Sequence, residues 1–367
     1  MRSINSTVAY FILIAIFLYG IGLVMVFNTS SAAVLDSGVN RNLYIPLFKQ
    51  VIFGVGGFFG GWSLYKLGYK RVLALAPALL VFFTFLLMLV FVPGIGMTAN
   101  GAKRWITLLG ISMQPSEFVK YIIPLFFIHE VLKYGQEITL KEFLPILGKI
   151  AIPLFLILIE PDNRTTIMIG GTLVVLFSMC SIPKRFWVTP LIIGLLGVGF
   201  FASTRPYVAA RINVYVNPEL DLRGKGHQPY QSKIALGSGG WTGKGIGQSL
   251  QKLSYLPEAQ NDYIVAILGE EMGFLGIFVI IICYMTLTLL GIKIAFFTED
   301  KAGSYVAMAM IVLISIQAFI NFGVVSGLLP TTGLNLPLFS QGGSSLIVNS
   351  CVIGLILSIC PKKSLLQ

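Results

Sequence analysis

The stretch VAYFILIAIFLYGIGLVMVF, at residues 8–27, decides the class of fold. It contains no charged residue, and an α-helix needs about 20 mostly apolar residues to cross the hydrocarbon core of a bilayer. Arg2 precedes the stretch, as a basic residue does in a secretory signal, but no convincing small-residue cleavage site follows it. The stretch therefore predicts a first membrane helix that is retained and not removed.

The composition extends this prediction to the rest of the chain. Of the 367 residues, 56% are hydrophobic and 11% are charged, whereas about 25% of the residues in a soluble domain are charged. Lys and Arg number 26, against 15 Asp and Glu. In a soluble protein this excess would suggest nucleic acid, but in a membrane protein it indicates topology, because cytoplasmic loops are rich in Lys and Arg. We expect no nucleic-acid partner.

Apolar stretches recur along the chain and predict an all-α polytopic membrane protein with about ten transmembrane helices. We interpret residues 1–367 as one transmembrane domain. The predicted spans are Thr7–Phe27, Ile45–Tyr65, Val72–Val92, Ser116–Leu132, Leu147–Ile159, Thr165–Ile182, Phe186–Ala202, Met272–Phe297, Ser304–Leu329 and Ser344–Cys360. The fifth span is short, so half of a broken helix is an alternative interpretation there.

Basic residues at the ends of the spans predict the orientation. Thirteen lie on one side: Arg2, Lys66, Lys70, Arg71, Lys133, Lys141, Lys149, Lys184, Arg185, Lys293, Lys301, Lys362 and Lys363. Five lie on the other side, in short loops and helix ends: Arg41, Lys49, Lys103, Arg104 and Arg164. The richer side is cytoplasmic by the positive-inside rule. We therefore predict a multi-pass protein of the cytoplasmic (inner) membrane with both termini in the cytoplasm, and a long exported loop, residues 203–261, between helices seven and eight.

The four cysteines, Cys180, Cys283, Cys351 and Cys360, all fall in or at the end of apolar stretches. We interpret them as small core residues and not as a disulfide framework. Cys and His are also too few and too scattered to predict a zinc site.

Ionisable residues inside apolar stretches are functional candidates, because charge is costly to bury in a bilayer. Lys103, Arg104 and Trp105 precede Glu117 and Lys120, which are three residues apart and share one face of a predicted helix. The last two form either an internal ion pair that offsets their burial or part of a site. In the second interpretation, Lys103 and Arg104 bind an anionic headgroup.

A second polar group, Glu160-Pro161-Asp162-Asn163-Arg164, separates two apolar runs. Pro161 interrupts the helix, and polar backbone at membrane depth is tolerated where it lines a cavity. We predict a polar pocket here, and a plain extracellular turn is the alternative. Just before Glu117, Ser116 is expected to cap its helix.

The exported loop contains a glycine-rich run, residues 237–247, which we expect to be a flexible cover. Its Gly243-Lys244-Gly245-Ile246-Gly247 segment follows no βαβ pattern, so we exclude a nucleotide loop. Asp262 comes at the end of the exported loop, and residues 262–268 are expected to lie along the outer membrane interface. Asp262 is either a helix N-cap or a general base whose pKa is raised by apolar neighbours.

Two small-residue patterns belong to helix ends and helix contacts. Ser344 and Ser345 follow a loop rich in Gly and Pro and open the last helix, where they form either an anion site or a simple cap. The residues Gly56, Gly57, Gly60 and Gly61 give overlapping G-x-x-x-G pairs, which we interpret as helix packing.

These groups, in this order, resemble the SEDS family of membrane proteins, of the FtsW/RodA type, over nearly the whole chain. The resemblance rests on Lys103-Arg104-Trp105, Gln114-Pro115-Ser116-Glu117 with Lys120, Glu160-Pro161-Asp162, Gln231-Ser232, Gly237-Ser238-Gly239-Gly240, Leu256-Pro257-Glu258 with Asp262, Gly327 with Pro330 and Gly333, Leu336-Pro337-Leu338, and Gly342-Gly343-Ser344-Ser345. The segment from Gln248 to Leu253 looks more like the division-associated FtsW branch than the elongation-associated RodA branch.

The chain also departs from the family pattern at three places, which affects the fine shape of the site. Asn163-Arg164 stand where the family usually has a small or apolar pair. Gln260-Asn261 stand where a His-Thr is usual, and Gln341 where a Tyr is usual.

The resemblance implies a peptidoglycan glycosyltransferase that polymerises lipid II into glycan strands on the outer membrane leaflet, for septal wall synthesis, with Asp262 as a catalytic residue. An elongation polymerase of the RodA type and a lipid II flippase are the alternatives, since broken helices also suit transport. The expected substrate-binding residues are Lys103, Arg104, Trp105, Glu117, Lys120, Asp162, Arg211, Glu258, Ser344 and Ser345.

The partners implied by the resemblance are lipid II, the nascent glycan strand, membrane lipids and a class B penicillin-binding protein, which is a transpeptidase. The sequence requires no cofactor. A divalent cation, Mg or Mn, would assist a leaving diphosphate, but no carboxylate cluster predicts a metal site.

Overall fold

Helices make up most of the described chain. The computed structural model describes residues 2–36, 42–99, 102–108, 111–135, 138–160, 162–203, 215–216, 218–222, 224, 226–253 and 255–360. The helices are α1 (Arg2–Asp36), α2 (Ile45–Leu67), α3 (Tyr69–Leu89), α4 (Pro115–Tyr134), α5 (Leu140–Ile159), α6 (Asn163–Met179), α7 (Lys184–Ser203), α8 (His227–Gly239), α9 (Ile264–Phe297), α10 (Lys301–Val325) and α11 (Gly343–Leu357). A short 3-10 helix covers Pro218–Asp221.

The prediction of a polytopic helical membrane protein is confirmed. Within the described ranges, five helical stretches are long and apolar enough to cross a membrane: Asn5–Ala32, Tyr69–Leu89, Leu140–Ile159, Ile264–Phe297 and Lys301–Val325. Each of the ten predicted spans falls on a helix, and α8 is an additional helix inside the segment 203–261.

Two details of the prediction were wrong. The fifth span is not short, because α5 has 20 residues and begins at Leu140. Its first turn is charged, and a capping box between Thr139 and Glu142 starts it, so the apolar run alone underestimates its length. The all-α prediction also missed a small antiparallel sheet of β1 (Gly96–Ala99), β2 (Ala102–Leu108) and β3 (Ile111–Met113).

Helices α2 and α11 approach closely at the glycines that the sequence singled out. A Cβ built on Gly57 would lie 2.8 Å from the Oγ of Ser350, and one on Gly61 would lie 2.6 Å from the carbonyl oxygen of the same serine. A Cβ on Gly56 would meet nothing within 4 Å. The packing interpretation is therefore confirmed for Gly57 and Gly61, whereas Gly56 faces open space.

Helix α9 breaks at Gly273, whose φ of 66° and ψ of −165° are not helical. The glycine-rich run fills the break. The N–H groups of Lys244 and Gly245 donate to the carbonyls of Glu270 and Glu271, both at 3.0 Å. In the other direction, Phe274 N–H donates to the Gly240 carbonyl at 2.9 Å. The expected flexible cover is therefore wrong: this run replaces helical hydrogen bonds that the break removes.

The first arm of α9 packs inside the protein. All residues from Ile264 to Glu271 are buried, so this arm does not lie along the membrane interface with one face toward lipid. Two ion pairs fix it to the loop: Lys244 Nζ lies 2.6 Å from Glu270 Oε1, and Lys252 Nζ lies 2.8 Å from Glu271 Oε1. The break and these pairs hold the start of α9 against the rest of the fold.

Candidate functional site

Asp262 lies two residues before α9, and its backbone is held from two sides. Its N–H donates to the Glu258 carbonyl at 3.2 Å, and its carbonyl accepts from Asn321 Nδ2 at 2.9 Å. The residue at the N-cap of α9 is Tyr263, and no side chain caps the helix. The interpretation of Asp262 as a helix N-cap is therefore wrong.

The carboxylate of Asp262 makes no hydrogen bond or direct ion pair with any residue that the structure describes. Burial raises the pKa of Asp262 to about 6, the positive charge of Arg164 opposes the increase, and the negative charge of Glu258 adds to it. A pKa near 6 leaves the carboxylate mostly ionised at neutral pH and able to accept a proton, which is what a general base requires.

Asp162 is the opposite case, because it is fully buried and surrounded by donors. Ser116 Oγ, Thr165 Oγ1 and Arg164 Nε lie 3.1, 2.9 and 3.0 Å from its carboxylate oxygens. Gln114 Nε2 adds a contact of 3.3 Å. Burial works against ionisation here, but Arg164, Arg104 and the hydroxyls hold the pKa of Asp162 below its usual value.

This network gives each member a structural task. Ser116 was expected to cap α4, but its hydroxyl donates to Asp162, and Gln114 occupies the N-cap position. Asp162 therefore joins the start of α4 to the start of α6. It lies in the segment for which a polar pocket was predicted, and four donors surround its carboxylate.

Glu117 and Lys120 form the internal ion pair that was one of the two interpretations. Lys120 Nζ lies 2.7 Å from Glu117 Oε2 and 2.9 Å from Gln317 Oε1, and Lys120 is 1% exposed. The pair connects α4 to α10 in the interior. The ammonium of Lys120 therefore already has two oxygen partners.

Lys103, Arg104 and Trp105 lie on β2, in the small sheet that precedes α4. Lys103 is exposed, and Arg104 Nε donates to the Glu160 carbonyl at 2.9 Å. The sheet thus brings Arg104 to the segment that contains Asp162. The sequence carried a signal for this sheet, because Asn100-Gly101 is the strongest short hairpin signature.

Glu160 is buried, and both of its carboxylate oxygens have no hydrogen-bond partner within the described part of the chain. Burial raises the pKa of Glu160 to about 8, Asp162 adds to the increase and Arg104 opposes it. Glu160 is therefore mainly protonated at neutral pH and does not compete with Asp262 as a base.

Ser344 and Ser345 are buried in the first turn of α11, and neither caps it, since the N-cap is Gly342 without a side-chain bond. Ser344 Oγ accepts from the Gln114 N–H at 3.2 Å, and Ser345 Oγ accepts from Asn349 at 3.2 Å. The simple-cap interpretation is wrong.

The structure brings the Asp162 group, Arg164 and Asp262 together around the loop between α10 and α11. Arg164 Nη1 donates to the Thr332 carbonyl at 3.2 Å, next to Gly333. Glu258, beside Asp262, accepts from Asn261, so one of the unusual residues at 260–261 positions a predicted site residue. Arg211 and Pro161 lie outside the described residues.

Two residues near Asp262 were not predicted as site residues. Arg164 was included in the second polar group and noted as a departure from the family pattern, but it was not given a role at the site. Asn321 was visible there as a polar residue within an apolar run, and in the structure it also donates to the Leu334 carbonyl at 2.5 Å. Polar residues inside apolar runs were the signal that could have found both.

The likenesses to known proteins cover almost the whole chain. A family described as "Cell cycle protein", FtsW/RodA/SpoVE, matches residues 8–365. A protein named "Probable peptidoglycan glycosyltransferase FtsW" from Geobacter sp. (strain M18) is 34% identical over 364 residues, which cover 99% of each chain. "Stage V sporulation protein E" of Bacillus subtilis (strain 168) is 37% identical over 354 residues, 95% of each chain.

Two solved structures share the fold. A chain from a structure titled "Structural coordination of polymerization and crosslinking by a peptidoglycan synthase complex" has a TM-score of 0.73 at 24% identity, and the match covers 94% of this chain and 96% of that one. The rod shape determining protein RodA of Thermus thermophilus has a TM-score of 0.68 at 24% identity, with 95% of each chain covered. With the match over residues 8–365, these likenesses lead to one conclusion: the chain belongs to the FtsW/RodA/SpoVE family of cell cycle proteins.

Proposed function

We propose that this chain is a peptidoglycan glycosyltransferase that polymerises lipid II into glycan strands for the septal wall at cell division. The names of its relatives support the activity and the division role. The observation that carries the proposal is the carboxylate of Asp262. It makes no hydrogen bond among the described residues, whereas the nearby Asp162 has four donors.

In the proposed reaction, Asp262 accepts the proton of the 4-hydroxyl of GlcNAc on one lipid II molecule. The hydroxyl oxygen attacks the anomeric carbon of MurNAc on the growing strand, and the bond to the lipid diphosphate breaks. A positioned general base contributes about 10²–10⁴-fold to such a step. One displacement converts the α-linked donor into a β-linked product, so the reaction inverts the anomeric centre.

The leaving diphosphate gains negative charge and needs positive groups close to it. We assign this task to Lys103 and Arg104 on β2, and to Arg211 from the exported loop. Lys120 contributes from a distance, because Glu117 and Gln317 already occupy its ammonium.

The remaining substrate contacts that we propose come from the pocket wall. Trp105, Glu117, Asp162, Glu258, Ser344 and Ser345 complete this set. Asp162 acts mainly by holding the wall in place, since its oxygens are saturated.

We propose no resident metal ion. Among the described residues, no group of three His, Cys, Asp or Glu side chains is placed to hold one. A divalent cation, Mg or Mn, would enter with the diphosphate of the substrate and neutralise its charge.

The proposed topology has ten spans in one domain, residues 1–367, in the cytoplasmic membrane with both termini inside. The loop 203–261 then faces outward and brings Asp262 to the outer leaflet. We further propose that the chain works with a class B penicillin-binding protein, which cross-links the strand that this chain makes. The synthase complex among the similar folds supports such a partnership.

A polymerisation assay tests the proposal. Purified wild type and Asp262→Ala are each given lipid II, with and without a class B penicillin-binding protein, and the glycan products are separated by length. We expect polymer from wild type and a loss of at least about 10²-fold in the variant. Polymer from Asp262→Ala at the wild-type rate would refute the assignment of the base.

The same preparation tests the alternative that the chain is a lipid II flippase and not a polymerase. If lipid II crosses vesicles that contain the protein, while no polymer forms under any partner condition, the chain is a flippase. The elongation role is distinguished in cells, where loss of a division polymerase gives filaments and loss of an elongation polymerase gives rounded cells.

A further inference from the structure

Arg164 is fixed on two sides at the start of α6. Its Nε lies 3.0 Å from Asp162 Oδ1, and its Nη1 donates to the Thr332 carbonyl at 3.2 Å. Its side chain is 16% exposed, against none for Asp162. Guanidinium has five N–H donors in a rigid plane, and these bonds to described residues use two of them.

The guanidinium group of Arg164 reaches the space next to Asp262. A Cβ built on Gly333 would lie 3.0 Å from Arg164 Nη1 and also 3.0 Å from Asp262 Oδ2. The two charged atoms are therefore no more than about 6 Å apart, a distance at which opposite charges interact measurably. They form no direct ion pair, so a narrow space remains between them. Gly333 has φ of +69°, and its missing side chain keeps that space open.

Arg164 adds a positive charge next to Asp262. The resemblance on which the proposed function rests has a small or apolar pair at the positions of Asn163 and Arg164. Asn163 is exposed, whereas Arg164 points into the site. The two unusual residues thus differ in consequence, and only Arg164 changes the charge beside the base.

We propose that Arg164 is a positioning residue: it is locked between Asp162 and Thr332 so that its charge faces Asp262 across the space above Gly333, keeping that carboxylate ionised and turned toward the acceptor hydroxyl. This proposal rests on the proposed function, because it assigns Arg164 a task in proton acceptance by Asp262. Arg164 itself takes no proton from the substrate.

The two charged groups that face Asp262 act in opposite directions. Glu258, from the loop before α9, raises the pKa of Asp262, and Arg164 opposes that increase. The group that α10 contributes is the neutral amide of Asn321, which bonds the Asp262 carbonyl. Removing the charge of Arg164 leaves burial and Glu258 unopposed, so the pKa of Asp262 should rise by about 1 unit or more.

The test is a pH–rate profile of lipid II polymerisation for five proteins. Arg164→Met and Arg164→Gln remove the charge, Arg164→Lys keeps it, and Asn163→Ala is the matched control next to it in sequence. We expect the acid limb of wild type to have its midpoint near 6. In both neutral variants this midpoint should rise by about 1 pH unit. At the pH of the wild-type midpoint, the polymerisation rate should then fall roughly five-fold. The rate on the alkaline plateau should change little. Arg164→Lys and Asn163→Ala should stay near wild type.

A second measurement separates this proposal from the proposed function. Infrared difference spectra between low and high pH report the protonated carboxyl of Asp262, assigned by its absence in Asp262→Asn. Suppose that none of the five proteins polymerises lipid II, but the pH at which this band is half lost is higher in Arg164→Gln than in wild type. The proposed function then fails, and the role of Arg164 stands. If wild type polymerises and both neutral variants keep its midpoint, in rate and in spectrum, the role of Arg164 is refuted.

Thermal unfolding in detergent controls for loss of structure. Arg164→Gln keeps N–H donors for Asp162 and Thr332, so it should fold even where Arg164→Met does not. If the pH–rate profile shifts only in variants whose unfolding temperature is lowered, the shift reports a loss of structure and the proposal is overturned.

Discussion

At the scale of single residues, the buried carboxylates divide into saturated and unsaturated groups. Asp162 has a full set of donors, and Glu117 has an ammonium partner. Asp262 and Glu160 have no such partner among the described residues. A charge costs free energy when it is buried without partners. Glu160 avoids this cost because its pKa is raised to about 8, which leaves it mainly neutral, whereas Asp262, with a pKa of about 6, stays mainly ionised at neutral pH.

The carboxylate of Asp262 has no hydrogen-bond partner among the described residues, so we expect it to serve the proposed reaction while its ionised form lowers the stability of the fold. Its pKa is raised to about 6, against about 3.9 in an unfolded chain. The folded protein therefore binds the proton more tightly, and its stability falls as pH rises from the lower value through the higher one. We expect Asp262→Asn to lose activity but to unfold about 2 °C or more above wild type when the pH exceeds 6.

Thermal unfolding of both proteins across this pH range measures the effect. The difference should vanish below about pH 4, where the Asp262 carboxyl of wild type is neutral in both the folded and the unfolded chain. A variant that unfolds below wild type at neutral pH would contradict the expectation and would show that ionised Asp262 stabilises the fold.

At this scale the sequence predicted which residue types matter better than it predicted their partners. Asp262 could be identified from the sequence because the motifs of the chain occur in the same order as in the family that it resembles. Its free carboxylate could not, because that depends on where Glu258 and Asn321 lie after folding. Arg164 was placed in a predicted polar group without a role, since its contact with Thr332 and its proximity to Asp262 depend on distant parts of the chain.

At the scale of elements, glycines decide where helices touch and where they break. The contact of α2 with α11 requires the absence of a side chain at Gly61, whereas Gly56, on the same helix, borders open space. The break of α9 at Gly273 requires a positive φ. The same residue type therefore serves packing in one helix and a change of direction in another.

The glycines of α2 give a matched pair of variants. Gly61→Ala places a Cβ 2.6 Å from the Ser350 carbonyl oxygen, and overpacking of this kind typically costs about 1–3 kcal/mol. Gly56→Ala adds a methyl group in open space and should be neutral or stabilising by up to about 1 kcal/mol. Unfolding midpoints in one detergent compare them, and equal midpoints for the two variants would contradict the packing role.

Sequence patterns predicted the helices well and the loop poorly. Each of the ten apolar runs coincides with a helix, because a membrane helix requires such a run at a known length. The glycine-rich run looked flexible because its partner, the broken turn of α9, lies some thirty residues further along the chain. The three strands lie between two predicted spans and were missed because strands this short show little alternation of polar and apolar residues.

At the scale of the whole molecule, polar networks tie distant segments together. Asn28 of α1 donates to Glu271 of α9 at 2.5 Å, and Lys252 of the loop donates to Asn28 Oδ1 at 2.8 Å. Buried ion pairs are costly to break, because the partner left behind keeps its charge. The network therefore fixes the loop relative to the first helix, and the candidate site is assembled on that frame.

The proposed orientation makes a prediction that accessibility can test. In a protein without its four native cysteines, Ile246→Cys places an exposed thiol in the loop, and Leu140→Cys places one at the start of α5. We expect a membrane-impermeant maleimide to label the first in intact cells. The second should react only after the membrane is permeabilised, and the reverse pattern would invert the topology.

Because of the break in α9, the position of Asp262 in the membrane need not change with the thickness of the lipid bilayer. The residues from Ile264 to Glu271, before Gly273, are buried in protein, whereas Phe274, Leu275 and Phe278 after it are exposed. When the hydrocarbon core thickens or thins, helices that face lipid respond by tilting. The arm that begins next to Asp262 is bonded to loop backbone and need not follow. We therefore expect the proposed catalytic geometry at Asp262 to stay constant when the length of the lipid chains changes.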